Sequence, residues 1–407
     1  MNELMSRLRV LDMSRVFSGP WAGQMFADFG ADVIKVERPV HGDDTRHQGF
    51  RMRDAEGEPT SETSSFVAMN RGKRSITVDL AQPAGQALVR KLAAQCDVLI
   101  ENFKAGDLER YGLGYEAMRE VNPRLVYCSI SGFGQTGPYS SRPGYDPIFQ
   151  SMSGLMAMTG APDGTPGAGP QKVGYAVSDL TAGFYAIAAT LAALHHRDTV
   201  SGTGQHIDIA LLDAQIGAIS HMAQNWFASG RQPPRLGTSS EITCPYQAFT
   251  CSDGDVMVAV GNDGQFRKFC AAIGLPELAA DARFLTNPLR AAHRAELIAL
   301  IAARLAPQPV RHWIDLLEAH GIPCGPINDF AQAFSNPQVV HREMRRTMAH
   351  PAIGEMPFVA NPVKFSGTPV QYRRAPPLLG EHTDEILEAL LGLDEHEIAA
   401  LREARTV

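Results

Sequence analysis

The feature that most constrains this chain is the alternation of short apolar runs with helix-like segments over its first 205 residues. Residues 8–13 read as a strand, followed by a loop carrying Gly19 and Pro20 and a helix ending near Gly30. Residues 32–37 form a second strand and 75–80 a third; the next helix starts near Pro83, since Pro is favoured in a first helical turn. Strands at 97–100 and 124–130, with a helical segment between them, continue the series. Repeated βα units imply a parallel sheet with helices on both faces, so the expected fold class is α/β, with residues 1–205 as one doubly wound domain.

Beyond that alternation the pattern breaks twice. Residues 132–174 are rich in Gly, Pro and Ser and carry no clean periodicity, which marks a long functional or mobile loop. The loop meets a strong helix, in which Leu180, Phe184, Ile187, Leu191 and Leu194 recur at spacings of three and four and so share one face. After Gln224 the character changes. A hairpin is expected over 247–260 around Ser252-Asp253-Gly254, then helices through His320, including an alanine-rich one over 290–305. Gly321-Ile322-Pro323 opens a second Pro/Gly stretch, and a helical tail begins near Gly380.

Composition bounds the function. The 407 residues are 44% hydrophobic and 20% charged, enough for a large core and incompatible with a disordered chain. Thirty-seven basic against 44 acidic residues give a net charge of -7, which argues against nucleic-acid or anionic-membrane partners. A small anionic ligand held by local Arg and Lys remains compatible. The apolar stretch 180–194 is too short to span a bilayer comfortably, and the N-terminus, with Glu3 and Arg7, has no signal-peptide core. Six scattered cysteines without a CxxC fit reduced thiols, so a soluble cytoplasmic enzyme is expected.

Most motif readings fail. Glu37 ends the second strand where a ribose-binding acid would sit, but the first turn reads Ser18-Gly19-Pro20-Trp21-Ala22-Gly23, without GxGxxG, which removes the nicotinamide reading. There is no HExxH, zinc-spaced cysteine pair, GxSxG or phosphate loop, so no metal is expected. His195-His196 suits the C-terminal dipole of the apolar helix. Asp179, just before Leu180, has two readings. It can cap the helix, as Asp commonly does. Alternatively, a carboxylate at a helix N-terminus can serve as a covalent nucleophile. Position alone does not separate them.

Further motifs run in order along the chain. They include Leu11-Asp12 with Gly19-Pro20, residues 30–37 (GADVIKVE), 70–79 (NRGKRSITVD), Glu101-Asn102-Phe103, 129–134 (SISGFG) and Tyr145-Asp146-Pro147. Later come 202–205 (GTGQ), 245–249 (PYQAF), 261–266 (GNDGQF), 321–326 (GIPCGP) and 379–383 (LGEHT). With these the chain resembles the class III CoA-transferases, the family of formyl-CoA transferase and crotonobetainyl-CoA transferase. The resemblance implies a Rossmann-like large domain plus a small α+β domain in an interlocked-ring homodimer. The large domain would cover 1–205, a linker 206–224, the small domain 225–325, and 326–407 would return to the large domain.

The family's catalytic carboxylate falls on Asp179, implying attack on an acyl-CoA thioester and an aspartyl-CoA thioester intermediate. No permanent cofactor is implied; a coenzyme A thioester is the substrate. CoA contacts carry over onto Val16, Arg38, Lys73, Asn102, Phe103 and Arg110, and the three cations suit phosphates. Asp146 matches an active-site acid, beside Tyr145. Phe17 replaces a Gln near the acyl group in formyl-CoA transferase, which disfavours formyl or oxalyl chemistry, and residues 236–240 (LGTSS) lack that enzyme's glycine run. The 245–249 and 261–266 motifs look like those of enzymes moving CoA from succinyl-CoA to dicarboxylates. A second carboxylate would want Arg15, Arg71, Arg142 or Lys172. Two rivals stand beside this reading. A 2-methylacyl-CoA racemase of the same superfamily needs a His-Asp pair where this chain has Tyr145-Asp146, and tyrosine, with an ordinary pKa near ~10, is a poor base. A non-catalytic acyl-CoA-binding protein requires Asp179 to be only a cap.

Overall fold

The computed structural model describes residues 4–407. The chain forms two compact units, one from residues up to 153, 173–220 and 338–407, the other from 154–172 and 221–337.

The larger unit is built on six strands: β1 (Arg9–Asp12), β2 (Asp32–Glu37), β3 (Lys73–Thr77), β4 (Val98–Glu101), β5 (Val126–Ser131) and β6 (His206–Ala210). They pair in the order β3–β2–β1–β4–β5–β6, every pair parallel. The helices used below are α1 (Ser18–Asp28), α2 (Pro83–Ala93), α3 (Tyr115–Val121), α4 (Asp146–Met152), α5 (Val177–His196) and α6 (Leu211–Ala218).

Because successive strand residues point to opposite faces, each strand feeds two cores. Val10, Val33, Val98, Ile100, Val126 and Cys128 pack with Phe26 of α1 and Ala182, Ala186 and Leu194 of α5. Leu11, Ile34, Val36, Ile76 and Leu99 pack with Leu88 and Leu92 of α2 on the other face. Ile386 and Leu387 of the helix Thr383–Leu391, and Ile398 of Glu395–Glu403, join that second core, so the C-terminal tail closes the sheet.

Four expectations change in detail. The segment 132–174 is not all loop: it contains α4 and the helix Leu155–Met158. Residues 206–220 are not a linker but include β6 and α6; β6 extends the sheet by pairing His206 opposite Tyr127. In α5 the buried face consists mainly of small residues, Ser178, Ala182, Gly183, Ala186, Thr190 and Ala193, while Phe184 is 53% exposed. Small side chains let α1 approach so closely that a Cβ on Gly183 would lie 2.9 Å from the Ser18 carbonyl oxygen. Finally, the helical stretch Val177–Ser201 is longer than the apolar run and passes the length and hydropathy test for a membrane span. Its Ala182, Ala186, Ile187, Ala193 and Leu194 are nevertheless core residues of this unit.

The smaller unit has an antiparallel sheet, Cys324–Pro326 beside Asp255–Ala259 beside Tyr246–Thr250. Helices Asp263–Ala272, Arg294–Leu305 and Val310–Ala319 close its core around Phe249, Val256, Phe266, Phe269 and Trp313.

Two ion pairs lie inside the larger unit, fully shielded. Lys73 Nζ donates to Asp12 Oδ2 at 2.7 Å, Asn70 Oδ1 at 2.8 Å and the Pro20 carbonyl at 2.9 Å, which uses all three ammonium hydrogens. Lys35 Nζ donates to Asp43 Oδ2 at 2.8 Å and the Ser14 carbonyl at 3.0 Å. Removing one member of such a pair strands the other charge in the core. Lys73→Met is therefore expected to lower unfolding stability by about 3–5 kcal/mol, read as a reduced urea midpoint; an unchanged midpoint would contradict this role for the pair.

Candidate active site

The order of the parallel sheet reverses between β1 and β4, and in open α/β sheets ligands settle in the crevice outside the strand ends at such a point. The loop after β1 carries Ser14, Arg15, Val16 and Phe17; the loop after β4 carries Asn102 and Phe103. Side chains hold the first loop at nearly every backbone polar group. Asp12 Oδ1 accepts the Ser14 amide at 3.0 Å, and Lys35 binds the Ser14 carbonyl. Asn102 accepts the Arg15 amide at 2.7 Å and donates to the Arg15 carbonyl at 2.6 Å. Asp43 Oδ1 accepts the Val16 amide at 3.2 Å. Val16 sits at φ 69°, a strained conformation for a β-branched residue, which this clamp maintains. Burial opposes the charge on Asp43, but Lys35 and the Thr45 amide and hydroxyl hold its carboxyl down at about 2.

Two cavities open around this loop. The first, about 280 Å³, lies over the ends of β1 to β4 and is lined by Arg15, Arg38, Ala81, Phe103, Arg110 and Tyr111 among others. The second, about 300 Å³, is lined by Val16, Ser18, Asn102, Arg142, Tyr145 and Asp179 among others. Arg15, Phe103 and Asp107 line both and form the sill between them; the Arg15 guanidinium lies 4.8 Å from the centre of the Phe103 ring.

At the second cavity the two readings of Asp179 separate. Asp179 is the third residue of α5 and is not its cap; the residue before the helix is Ala176, which supplies no side-chain bond. The capping carboxylate comes from Asp146 on α4: its Oδ1 accepts the Ser178 amide at 2.7 Å and the Asp179 amide at 3.4 Å, and its Oδ2 accepts from Gln150 at 2.6 Å. The Asp179 side chain is thus left facing the cavity. Burial, and secondly the charge of Asp146, push its carboxyl up to about 7, against the pull of the helix dipole.

The remaining expected residues divide. Val16, Asn102, Phe103 and Tyr145 line the second cavity with Asp179; Arg38 and Arg110 line the first, paired with Asp44 at 2.9 Å and with Asp107. Asp146 lies behind Asp179 as described. Phe17 is half-buried at the start of α1 and lines neither cavity. Lys73 does not reach a ligand: its saturated ammonium lies in the core beneath α1, so the expected phosphate contact is replaced by a structural one. Of the cations considered for a second carboxylate, Arg71 is committed to Asp28 at 2.6 Å and lines neither cavity, and Lys172 belongs to the smaller unit. Arg15 and Arg142 line the Asp179 cavity. Glu37 is consumed by Arg46 and Ser75, at 2.8 and 2.7 Å, which closes the ribose reading.

Two functional roles were not foreseen. The clamp role of Asp43 was missed, although Asp43-Asp44-Thr45 after Gly42 is a turn-and-cap pattern; its side chain accepts the Thr45 amide. The capping role of Asp146 was also missed. Its local signal was Pro147, which marks a helix start, but nothing local points to the amides of α5.

Comparison with known proteins agrees with this geometry. Residues 5–383 match the family profile described as CoA-transferase family III. The chain is 46% identical over 387 residues to the succinate–glutarate CoA-transferase of Agrobacterium fabrum, covering 95% of each chain. It is 40% identical to the human succinyl-CoA:glutarate CoA-transferase, covering 98% of this chain and 89% of that one. A solved CAIB/BAIF family protein from Brucella suis superposes with a TM-score of 0.84 at 44% identity, over 96% of this chain and all of the other. The profile match and these identities establish that this chain belongs to CoA-transferase family III.

Proposed function

We propose that the protein transfers CoA from succinyl-CoA to a free dicarboxylate, with glutarate the first acceptor to test, through an aspartyl-CoA thioester on Asp179. The observation that carries the reading is the Asp179 carboxylate lining a cavity while Asp146 satisfies the helix amides that Asp179 would otherwise cap. That arrangement also weighs against a non-catalytic binder. The names of the Agrobacterium and human relatives support the donor and the acceptor class.

In this reading an Asp179 oxygen attacks the thioester carbonyl; the C–S bond breaks, leaving an acyl-aspartyl anhydride and CoA thiolate. The thiolate attacks the aspartyl carbonyl, releasing succinate and forming the aspartyl-CoA thioester. The acceptor carboxylate attacks that carbonyl, giving a second anhydride and thiolate. Attack of this thiolate on the acyl carbonyl yields the new acyl-CoA and restores Asp179. No proton or water is consumed, and the energy of the starting thioester is kept as a thioester or an anhydride at every stage while succinate leaves as the free acid. An Asp179 carboxylate destabilised by burial and by Asp146 is the more reactive for being poorly solvated.

Arg38 and Arg110, on the first cavity, are suited to CoA phosphates, with Asn102 holding the loop that carries Val16. The interlocked homodimer that the family resemblance implies would need an apolar surface to cover. Ile148, Met152, Phe184, Tyr185 and Ile216, on α4 to α6, are large apolar side chains left 43–53% exposed, the kind of surface a second copy covers. The six cysteines are unpaired, five of them buried, which suits a reducing cytoplasm.

Incubation with succinyl-CoA should give a covalent CoA adduct in intact-mass analysis, mapped to Asp179, and Asp179→Ala should form no adduct and lose turnover by at least about 10⁴-fold. Turnover by that variant would remove Asp179 from the chemistry. Because burial and Asp146 raise the Asp179 pKa, kcat/KM for succinyl-CoA should be flat above about pH 7 and fall tenfold per unit below it. Asp146→Asn removes the neighbouring charge and should move that limb to lower pH. Sedimentation should give twice the 44.1 kDa chain mass.

A further inference from the structure

We propose that Arg142 receives the distal carboxylate of the dicarboxylic acyl group, so that one guanidinium selects both donor and acceptor; this rests on the dicarboxylate reading above. Donor and acceptor acyl groups react at the same Asp179 in turn, so a single cation in that cavity can recognise both.

Four observations point to Arg142. It lines the cavity that holds Asp179. Of the other arginines, Arg38 and Arg110 line the first cavity and not the one with Asp179, and Arg15, on the sill between the two, lies 3.7 Å from Asp44 with its Nε buried and unpartnered. Among the described residues no carboxylate forms an ion pair with Arg142, so a ligand carboxylate would meet it without displacing a partner. The guanidinium is also held over an aromatic ring. It lies 3.6 Å from the centre of the Tyr139 ring, Tyr139 packs edge-on against Phe133, and Phe133 packs against the buried Phe149. A cation stacked on an aromatic face keeps its hydrogens at the edge, where a carboxylate can take two of them.

The chain path supplies the last argument. Arg142 precedes Asp146 by four residues, so their Cα atoms lie within about 14 Å even if the chain is fully extended. Asp146 is bonded to the Asp179 amide, and the arginine side chain spans part of the distance. Lys104 also lines the cavity, but a point charge lacks the planar fork that matches a carboxylate. Arg142 is exposed, so replacing it leaves the core untouched.

The test compares glutarate with pentanoate, which has the same carbon chain and no distal carboxylate, as acceptors from succinyl-CoA. It is run on the parent protein, Arg142→Gln and Arg142→Lys, with the acyl-CoA products read by mass spectrometry. The parent should prefer glutarate. Arg142→Gln should reduce the glutarate-to-pentanoate ratio of kcat/KM by roughly 10- to 150-fold, mainly through KM, the range expected for losing a charge-assisted bond. Arg142→Lys should fall between. The same substitution should erode the preference for succinyl-CoA over butyryl-CoA as donor. A ratio unchanged within twofold in Arg142→Gln, including equal loss with both acids, would overturn the assignment and leave dicarboxylate transfer standing. A parent that makes no glutaryl-CoA, or uses pentanoate equally well, would overturn the dicarboxylate reading and this assignment with it.

Discussion

The carboxylate of Asp146 sits 2.7 Å from the Ser178 amide at the start of α5, and the chemistry available to the second cavity depends on that contact. The first turn of a helix presents unsatisfied amides, and an acid placed there is ordinarily spent on them. Here the acid that satisfies them comes from α4, thirty-two residues earlier in the chain, so the acid carried by the turn itself is left over. The same contact brings a second negative charge close to Asp179. Burial, with this charge second, pushes the Asp179 carboxyl up to about 7.

The sheet explains why this happens where it does. With strand order β3–β2–β1–β4–β5–β6, the loops after β1 and β4 diverge and leave a crevice. A crevice alone would be soft. The loop after β1 is made rigid from below by Asp12 and Lys35, from one side by Asn102 and from another by Asp43, and it carries Val16 in a conformation that it would not hold unaided. The Lys73–Asp12 pair belongs to this underpinning. Asp12 holds Ser14 with one oxygen and Lys73 with the other, which ties the position of the loop to the core.

Much of this arrangement was legible locally. The βα alternation predicted the parallel sheet, residues 32–37 were read as the strand that forms, and Pro83 marked the start of α2. The hairpin around Ser252-Asp253-Gly254 and the C-terminal helices also follow from local pattern. The readings that changed share a cause. The large apolar residues of α5 at three-four spacing looked like its core face, but the helix packs α1 through its small residues, and close approach is decided by what lies opposite. The resemblance implied that Lys73 is a phosphate ligand; it is buried because Asp12, Asn70 and Pro20 converge on it.

By itself, then, the sequence determined the fold class and, through ordered motifs, the family, and it singled out Asp179 as an acid with two open readings. These depend on hydrophobic periodicity and on residue identity at fixed spacings, which a linear string records. Only the tertiary structure decided which acid caps α5 and which is free, which cations face a cavity and which are buried, and that Arg142 stands at the Asp179 cavity over the Tyr139 ring. Those outcomes depend on distances between residues far apart in the chain. Hydrogen bonds, charge pairs and desolvation act over a few ångströms of space, whatever the separation in sequence.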